Sequence, residues 1–350
     1  MPYCRKCGAK LEDDAQFCHV CGTPIAQTVA KPETRRTTRV VSRPMTYLAI
    51  ALICVLVIAV FFSMMIFIPG HEIAYSESHG VGYRPDVKIL NLTLTASVAS
   101  IKVSFEHLAD SLVTLNVSAT GRAGMFAPST PLNVTFTNST TGNVLVVDTN
   151  VKTSSHMWPW QWVDVNCGLK IDPAMKVNMN VKTSTGQIIM DTQTGVTINS
   201  LTLEAITGSV QANLVENVTI NGNVTAKTTT GSVELSWDKA NATRNVTVEA
   251  KTVTGGVTLD INQKHMMAGN VTLKAQTTTG GVHLTMKIEN SIAAKIESAT
   301  TVGAIDVANK TGFSGTSSLL QSDNYPAKSN FNTSLKTSTG GIHINAKYTP

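Results

Sequence analysis

The sequence predicts a mainly β protein. Its outer domain is expected to be a single-stranded, β-helix-like solenoid with coils of about 22–25 residues, joined to one transmembrane helix and a small zinc ribbon. Three observations predict this. Met45–Ile68 is a run of twenty-four residues without a charge, closed by Pro69 and Gly70. Two C-x2-C pairs stand ahead of it, and a Thr-Gly motif recurs behind it.

The 350 residues leave room for two or three folded units, and the formal charge of +5 is unevenly placed. The first forty-four residues hold eight Lys and Arg against four acids, so the basic excess sits beside the apolar run and does not point to a nucleic-acid partner. The expected order is a zinc ribbon at 1–26, a basic flexible linker at 27–44 and a transmembrane helix at 45–68. A juxtamembrane linker at 69–83, an irregular β region or cap at 84–175 and regular repeats at 176–350 follow.

Residues 3–25 read YCRKCGAKLEDDAQFCHVCGTPI. Two residues between thiolates let one tight turn offer both sulfurs to a single ion. Gly8 and Gly22, directly after the second cysteine of each pair, permit the positive φ such a knuckle needs. Cys4, Cys7, Cys18 and Cys21 suit structural Zn2+ in a closed tetrahedral site, a rubredoxin-type iron centre being the alternative. Tyr3, Leu11, Phe17, Val20 and Ile25 are the chief apolar groups, so the metal would supply most of the folding free energy. The stretch resembles the short zinc ribbons at the amino ends of prokaryotic, especially archaeal, membrane proteins. Arg5, Lys6 and Lys10 are offset by Glu12, Asp13 and Asp14, which favours a cytoplasmic protein over nucleic acid as a docking partner.

As a helix, the apolar run would be roughly 36 Å long at ~1.5 Å per residue, enough for a ~30 Å hydrocarbon core. It has no polar face, and it is longer and later than the ~7–15-residue core of a cleaved signal peptide. Lys31, Arg35, Arg36, Arg39 and Arg43 precede it against Glu33 alone, whereas the nearest basic residue after it is Arg84. The amino end is therefore expected in the cytoplasm, its basic linker near anionic lipid headgroups, and the carboxyl part outside the cell. Cys167 is the one cysteine beyond the span, so no internal disulfide can form there.

The repeat reads KTSTGQIIM, EAITGSVQA, KTTTGSVEL, KTVTGGVTL, QTTTGGVHL, ATTVGAIDV and KTSTGGIHI. Its glycines, Gly186, Gly208, Gly231, Gly255, Gly280, Gly303 and Gly340, are spaced by 22, 23, 24, 25, 23 and 37 residues. Two and four places after each glycine the residues are all apolar, as in Val233 and Leu235, while the place between varies freely. That is strand alternation with one buried face. Before the glycine the buried parity is odd, so the strand is expected to turn a corner at Thr-Gly and keep facing one core. Three places before, a column of threonines broken only by Ala205 is expected to face inward and hydrogen-bond along itself. No acid or histidine recurs beside it, which argues against a Ser/Thr nucleophile. The long last spacing matches the polar run GFSGTSSLLQSDNYPAKSN, expected as a loop bulging from the wall.

Residues 84–175 repeat less cleanly and fit either degenerate early coils or a small capping sandwich. From about 84 to 347 the chain resembles the putative-adhesin β-solenoid family of unknown function, whose strands end in T-x-T-G-x-[VI]. Membership would imply a solenoid at a cell surface and no particular reaction.

Eleven Asn-x-Ser/Thr sequons follow the span: Asn91, Asn116, Asn133, Asn138, Asn217, Asn223, Asn241, Asn245, Asn270, Asn309 and Asn332. They are candidate glycosylation sites on an exported surface. Trp158, Trp160 and Trp162 alternate, so a strand would place them on one face, as a hydrophobic plug or as a sugar platform. Lys182, Lys227, Lys251 and Lys336 share an outward column that reads as a solvated face. A polysaccharide-active β-helix enzyme would need clustered carboxylates, and the outer acids are scattered in register. His283 and His343 share one column, with the coil carrying Asp306 and the long insertion between them in sequence, and are a candidate metal pair outside the ribbon. The expected protein is a non-enzymatic, adhesin-like surface module binding a glycan or cell-surface ligand. A transmembrane sensor ranks second and an enzyme third.

Overall fold

The structure is a computed structural model that describes residues 3–13, 15–24, 43–67, 71–123, 132–153, 162–289 and 291–350. The chain divides into two compact units, Met1–Phe67 and Ile68–Pro350. The expected linker at 27–44 lies almost wholly outside the described residues.

The first unit holds the cysteine motif and one 25-residue helix, Arg43–Phe67. Its described side chains, Tyr47 to Ser63, are exposed on every face. That described stretch is shorter than the roughly 20 residues a bilayer span takes, and among the described residues no helix is long and apolar enough to cross a membrane.

The second unit is mainly β, in one sheet of 14 strands and one of 11. Each repeat contributes a strand to each sheet. Val224–Thr230 turns at Gly231 and continues as Val233–Asp238; Val246–Thr254 turns at Gly255 and continues as Val257–Gln263. Successive repeats pair in parallel with the glycine-aligned columns in register, as in Val224↔Val248 and Val233↔Val257. The inward columns form one continuous apolar core between the sheets.

The corner explains the glycine. Gly231 has φ +137°, and a Cβ there would stand 2.1 Å from the carbonyl oxygen of Gly208; Gly255 stands in the same way on Gly231. No side chain fits a contact that close, nor readily adopts that φ. The threonine column does a different job from the one expected. Instead of bonding along itself, each hydroxyl donates to the corner carbonyl of the adjacent coil: Thr228 to Gly208 at 2.8 Å, Thr277 to Gly255 at 2.9 Å and Thr337 to Gly280 at 3.0 Å. The corner interrupts the backbone ladder, and the hydroxyl supplies a donor for a carbonyl turned toward the core.

Four features of the ends depart from or refine the sequence reading. First, the coils do not stack in sequence order. Ser329–Thr339 and Ile342–Thr349 lie between the Gly280 coil and the Gly303 coil, which ends the stack. Asn309 and Lys310 break the apolar alternation of Ile305–Thr311 and shift its register, so that strand is suited to the edge.

Second, the residues expected as a bulging loop form the strands Phe313–Thr316 and Leu319–Ser322. This hairpin pairs antiparallel with the outer side of Ile292–Val302 and covers that edge.

Third, residues 84–175 fall into two parts. Ile89–Val98 and Ser100–Phe105 make a further coil with its corner at Ala99, directly against Gly186. The remaining strands, Ser111–Ala123, Leu132–Thr141, Val144–Thr153 and Trp162–Ile171, extend the two sheets as a largely antiparallel cap. Fourth, the expected juxtamembrane linker is mostly strand: His71–Gly82 pairs antiparallel with Ser111–Ala123 through alternating inward residues such as Ile73 and Val81.

Candidate functional site

The two C-x2-C turns fold alike. The Gly8 N–H donates to the Cys4 carbonyl at 2.9 Å and the Gly22 N–H to the Cys18 carbonyl at 2.8 Å, with φ of 75° and 66° at the glycines. Short bridges, Tyr3 with Lys10 and Phe17 with Pro24, close each knuckle. Cys4 and Cys21 bring their sulfurs to 3.6 Å, Cys7 and Cys18 to 3.5 Å, and all four sulfurs lie within 4.8 Å of one another. A tetrahedron of Zn–S bonds of ~2.3 Å has edges of roughly 3.8 Å, so the donor set fits one zinc ion.

Electrostatics point the same way. The Thr23 hydroxyl, backed by its own backbone, lowers the Cys21 thiol to about 6. Although the Ala9 backbone pulls Cys7 down, the neighbouring sulfurs, Cys21 first, and burial hold it up at about 12. Packed thiols resist ionising together, and a divalent cation removes that resistance. Among the described ribbon residues Cys4, Leu11 and Cys18 are the buried ones, with Ala9 packed against them. Of the apolar groups expected to help, Tyr3, Phe17 and Val20 are 62%, 61% and 63% exposed, and Ile25 lies outside the described residues. The side-chain core is thus smaller than the sequence suggested, and folding leans harder on the metal.

Four convergent thiolates with no open position define a structural zinc site rather than a catalytic one. The zinc-ribbon domain family model matches residues 3–25, so this end of the chain is a zinc ribbon. No curated protein matches the chain. Among solved structures it is similar to a putative cell adhesion protein from Clostridium sporogenes. That match has 14% identity and a TM-score of 0.36, covering 78% of this chain and 100% of that one. It is similar also to putative adhesins from Bacteroides fragilis (11%, 0.33, 77% and 96%) and Parabacteroides distasonis (12%, 0.29, 77% and 96%). At these TM-scores the superposition is loose.

In the second unit the sequon asparagines divide. Asn116, Asn133, Asn138, Asn217, Asn223, Asn241 and Asn245 are exposed, while Asn91, Asn270, Asn309 and Asn332 are half-buried. Several already have structural partners. The Oδ1 of Asn223 accepts from Thr247 N, that of Asn245 from Asn270 N, and that of Asn270 from Asn330 N. Trp158 and Trp160 lie outside the described residues, and Trp162 opens a strand without a described side chain. The fourth tryptophan, Trp237, is fully buried, donates to Gln263 Oε1 at 2.9 Å and meets Phe331 edge-on.

Two lysines of the column pair with acids on the next coil, Lys182 with Glu204 at 2.7 Å and Lys227 with Glu249 at 3.2 Å. Both pairs are substantially exposed, so each contributes at most about 1 kcal/mol. Beside them runs a shallow open groove of about 470 Å³, lined by Lys182, Ile206, Lys227 and Val253 among others. The swapped coil order also sets His283 directly beside His343, with Asp306 on the far side of His343. Sequence spacing hid that adjacency.

Proposed function

We propose that the chain is a single-pass, membrane-anchored surface protein. Its zinc ribbon is cytoplasmic, and its two-sheet body is an adhesin-like β-solenoid facing outward in a non-enzymatic binding or structural role. The observation that carries this reading is the uncharged run Met45–Ile68, basic on one flank only, between a thiolate head and a stack of strand pairs. The solenoid reading rests on parallel strand pairs in column register around one core. The non-enzymatic reading rests on where the polar groups go. The recurrent threonine hydroxyls are occupied by corner carbonyls, and Glu204, Glu249 and Glu216 are paired with lysines.

The exposed sequons make the outer face a candidate for glycosylation, and the corner groove is where a glycan or cell-surface ligand would rest. The basic linker lies against lipid headgroups. A sensor is the second reading, favoured by the apolar side chains Tyr3, Phe17 and Val20, each exposed on the ribbon and available to a cytoplasmic protein. The two readings separate by deletion. Cells carrying a ribbon-deleted protein keep surface binding if it is an adhesin, whereas a sensor loses its response on Cys18→Ser alone.

A further inference from the structure

The inserted coil brings together three residues that the sequence keeps apart. His283 and His343 are cross-strand partners on the outer face, and their ring centroids lie 5.8 Å apart at an interplanar angle of 47°. Two imidazoles sharing one ion through bonds of ~2.0–2.1 Å hold their centroids roughly 5 to 6 Å apart, for angles at the metal from tetrahedral to about 130°. The observed separation falls within that range.

Asp306 supplies the second observation. It pairs with His343 across the next strand, and its Oδ2 is 2.8 Å from His343 Nδ1. A carboxylate on Nδ1 fixes the ring and its tautomer and leaves Nε2 as the donor, the arrangement that raises the basicity of metal-ligating histidines. Each histidine follows its corner by three places with Gly281 or Gly341 between, and His283 Nε2 lies back over Gly281, 3.4 Å from where a Cβ would stand. His283 is exposed, and the His343 side chain is 42% exposed, so solvent reaches both rings.

We propose that His283 and His343 form a second metal site on the outer face, taking a borderline divalent transition ion such as Zn2+, with Asp306 as the positioning residue. Two protein ligands leave the other coordination positions open to water or to a donor from a bound partner. This site differs from the ribbon in ligand type, exposure and coordination, and it does not depend on the membrane reading.

The test uses the full-length protein in detergent, with its ribbon loaded, dialysed against Zn2+ and analysed for bound metal, with His ring resonances followed by NMR. The expected result is two ions per chain, falling to one in His283→Ala and in His343→Ala, with the melting temperature of the metal-free body unchanged. Cys18→Ser should lose the ribbon ion and keep the outer one. Asp306→Asn should keep the stoichiometry and weaken the outer site by about 10–100-fold. A wild-type chain that takes only one ion, or a second ion that survives both histidine substitutions, would overturn the assignment.

Discussion

The hydroxyl of Thr252 donates to the carbonyl oxygen of Gly231 at 3.0 Å, from a side chain with no exposed surface. This bond joins one coil to the next at the point where the backbone ladder is interrupted. Removing the hydroxyl leaves a buried acceptor without its donor, at a cost of about 1–3 kcal/mol. Thr252→Val is expected to lower the unfolding free energy by that amount in urea titration, and Thr252→Ser to recover much of it. Ala205, the one non-threonine of the column, offers the converse. Ala205→Thr should stabilise by about 0.5–1.5 kcal/mol if its hydroxyl reaches the Gly186 carbonyl.

The glycine of the same corner tolerates nothing larger. In Gly231→Ala the new Cβ would meet the Gly208 carbonyl at 2.1 Å, at a φ of +137°. The expected loss exceeds about 3 kcal/mol, since backbone strain and the clash add. Gly195 has φ +90° with nothing near its Cβ position, so Gly195→Asn should be far milder. Equal losses at both sites by thermal melting would contradict the close-approach argument.

How much of this was legible in the sequence depends on what periodicity encodes. The alternation around Val233 and Leu235 fixes which side faces inward, and the cysteine spacing fixes the knuckles, because each is a local requirement. Stacking order is not local. Every coil offers its neighbours the same apolar columns, so the Gly280 coil accepts the Gly340 coil as readily as the Gly303 coil. One signal of the swap is Asn309, which stands where five coils place Leu214, Trp237, Ile261, Met286 and Ala346 and where the Gly186 coil places Thr192. Thr192 donates its hydroxyl to the Asn213 carbonyl and stays inside the stack, whereas Asn309 coincides with a register shift and lies in the strand at the sheet edge. The His283–His343 adjacency was hidden for the same reason.

The ribbon should melt without its metal. Chelation, or Cys18→Ser, is expected to collapse the resonances of residues 3–24 to unfolded positions while the body keeps its β-type circular dichroism. Retention of ribbon structure in chelator would show that Leu11 and its neighbours suffice, against the burial pattern.

Cys167 is buried in the core, and burial pushes its thiol up to about 12 from an ordinary 9.0. Because the folded value is the higher, its contribution to stability is complete below pH 9 and is lost as pH rises toward 12. The native protein should resist a thiol reagent at Cys167 at pH 8 and react fully once denatured. Cys167→Val should flatten the alkaline part of the stability profile between those values. Fast native labelling at pH 8 would contradict the buried placement.

The sequon asparagines should separate by structural role. Asn245→Gln is expected to destabilise by about 1 kcal/mol, because Asn245 accepts from the Asn270 N–H, whereas Asn133→Gln, at an exposed position, should be neutral within about 0.5 kcal/mol. Melting curves of the two variants decide it.

The most direct test of the anchored arrangement labels single cysteines on intact cells with a membrane-impermeant maleimide. Thr229→Cys places a thiol on the exposed corner of the body, and Lys6→Cys places one on the exposed edge of the ribbon. Cys at 229 is expected to react on intact cells and Cys at 6 only after permeabilisation. Labelling at 6 but not at 229 before permeabilisation, or a protein recovered in the aqueous fraction without detergent, would contradict it.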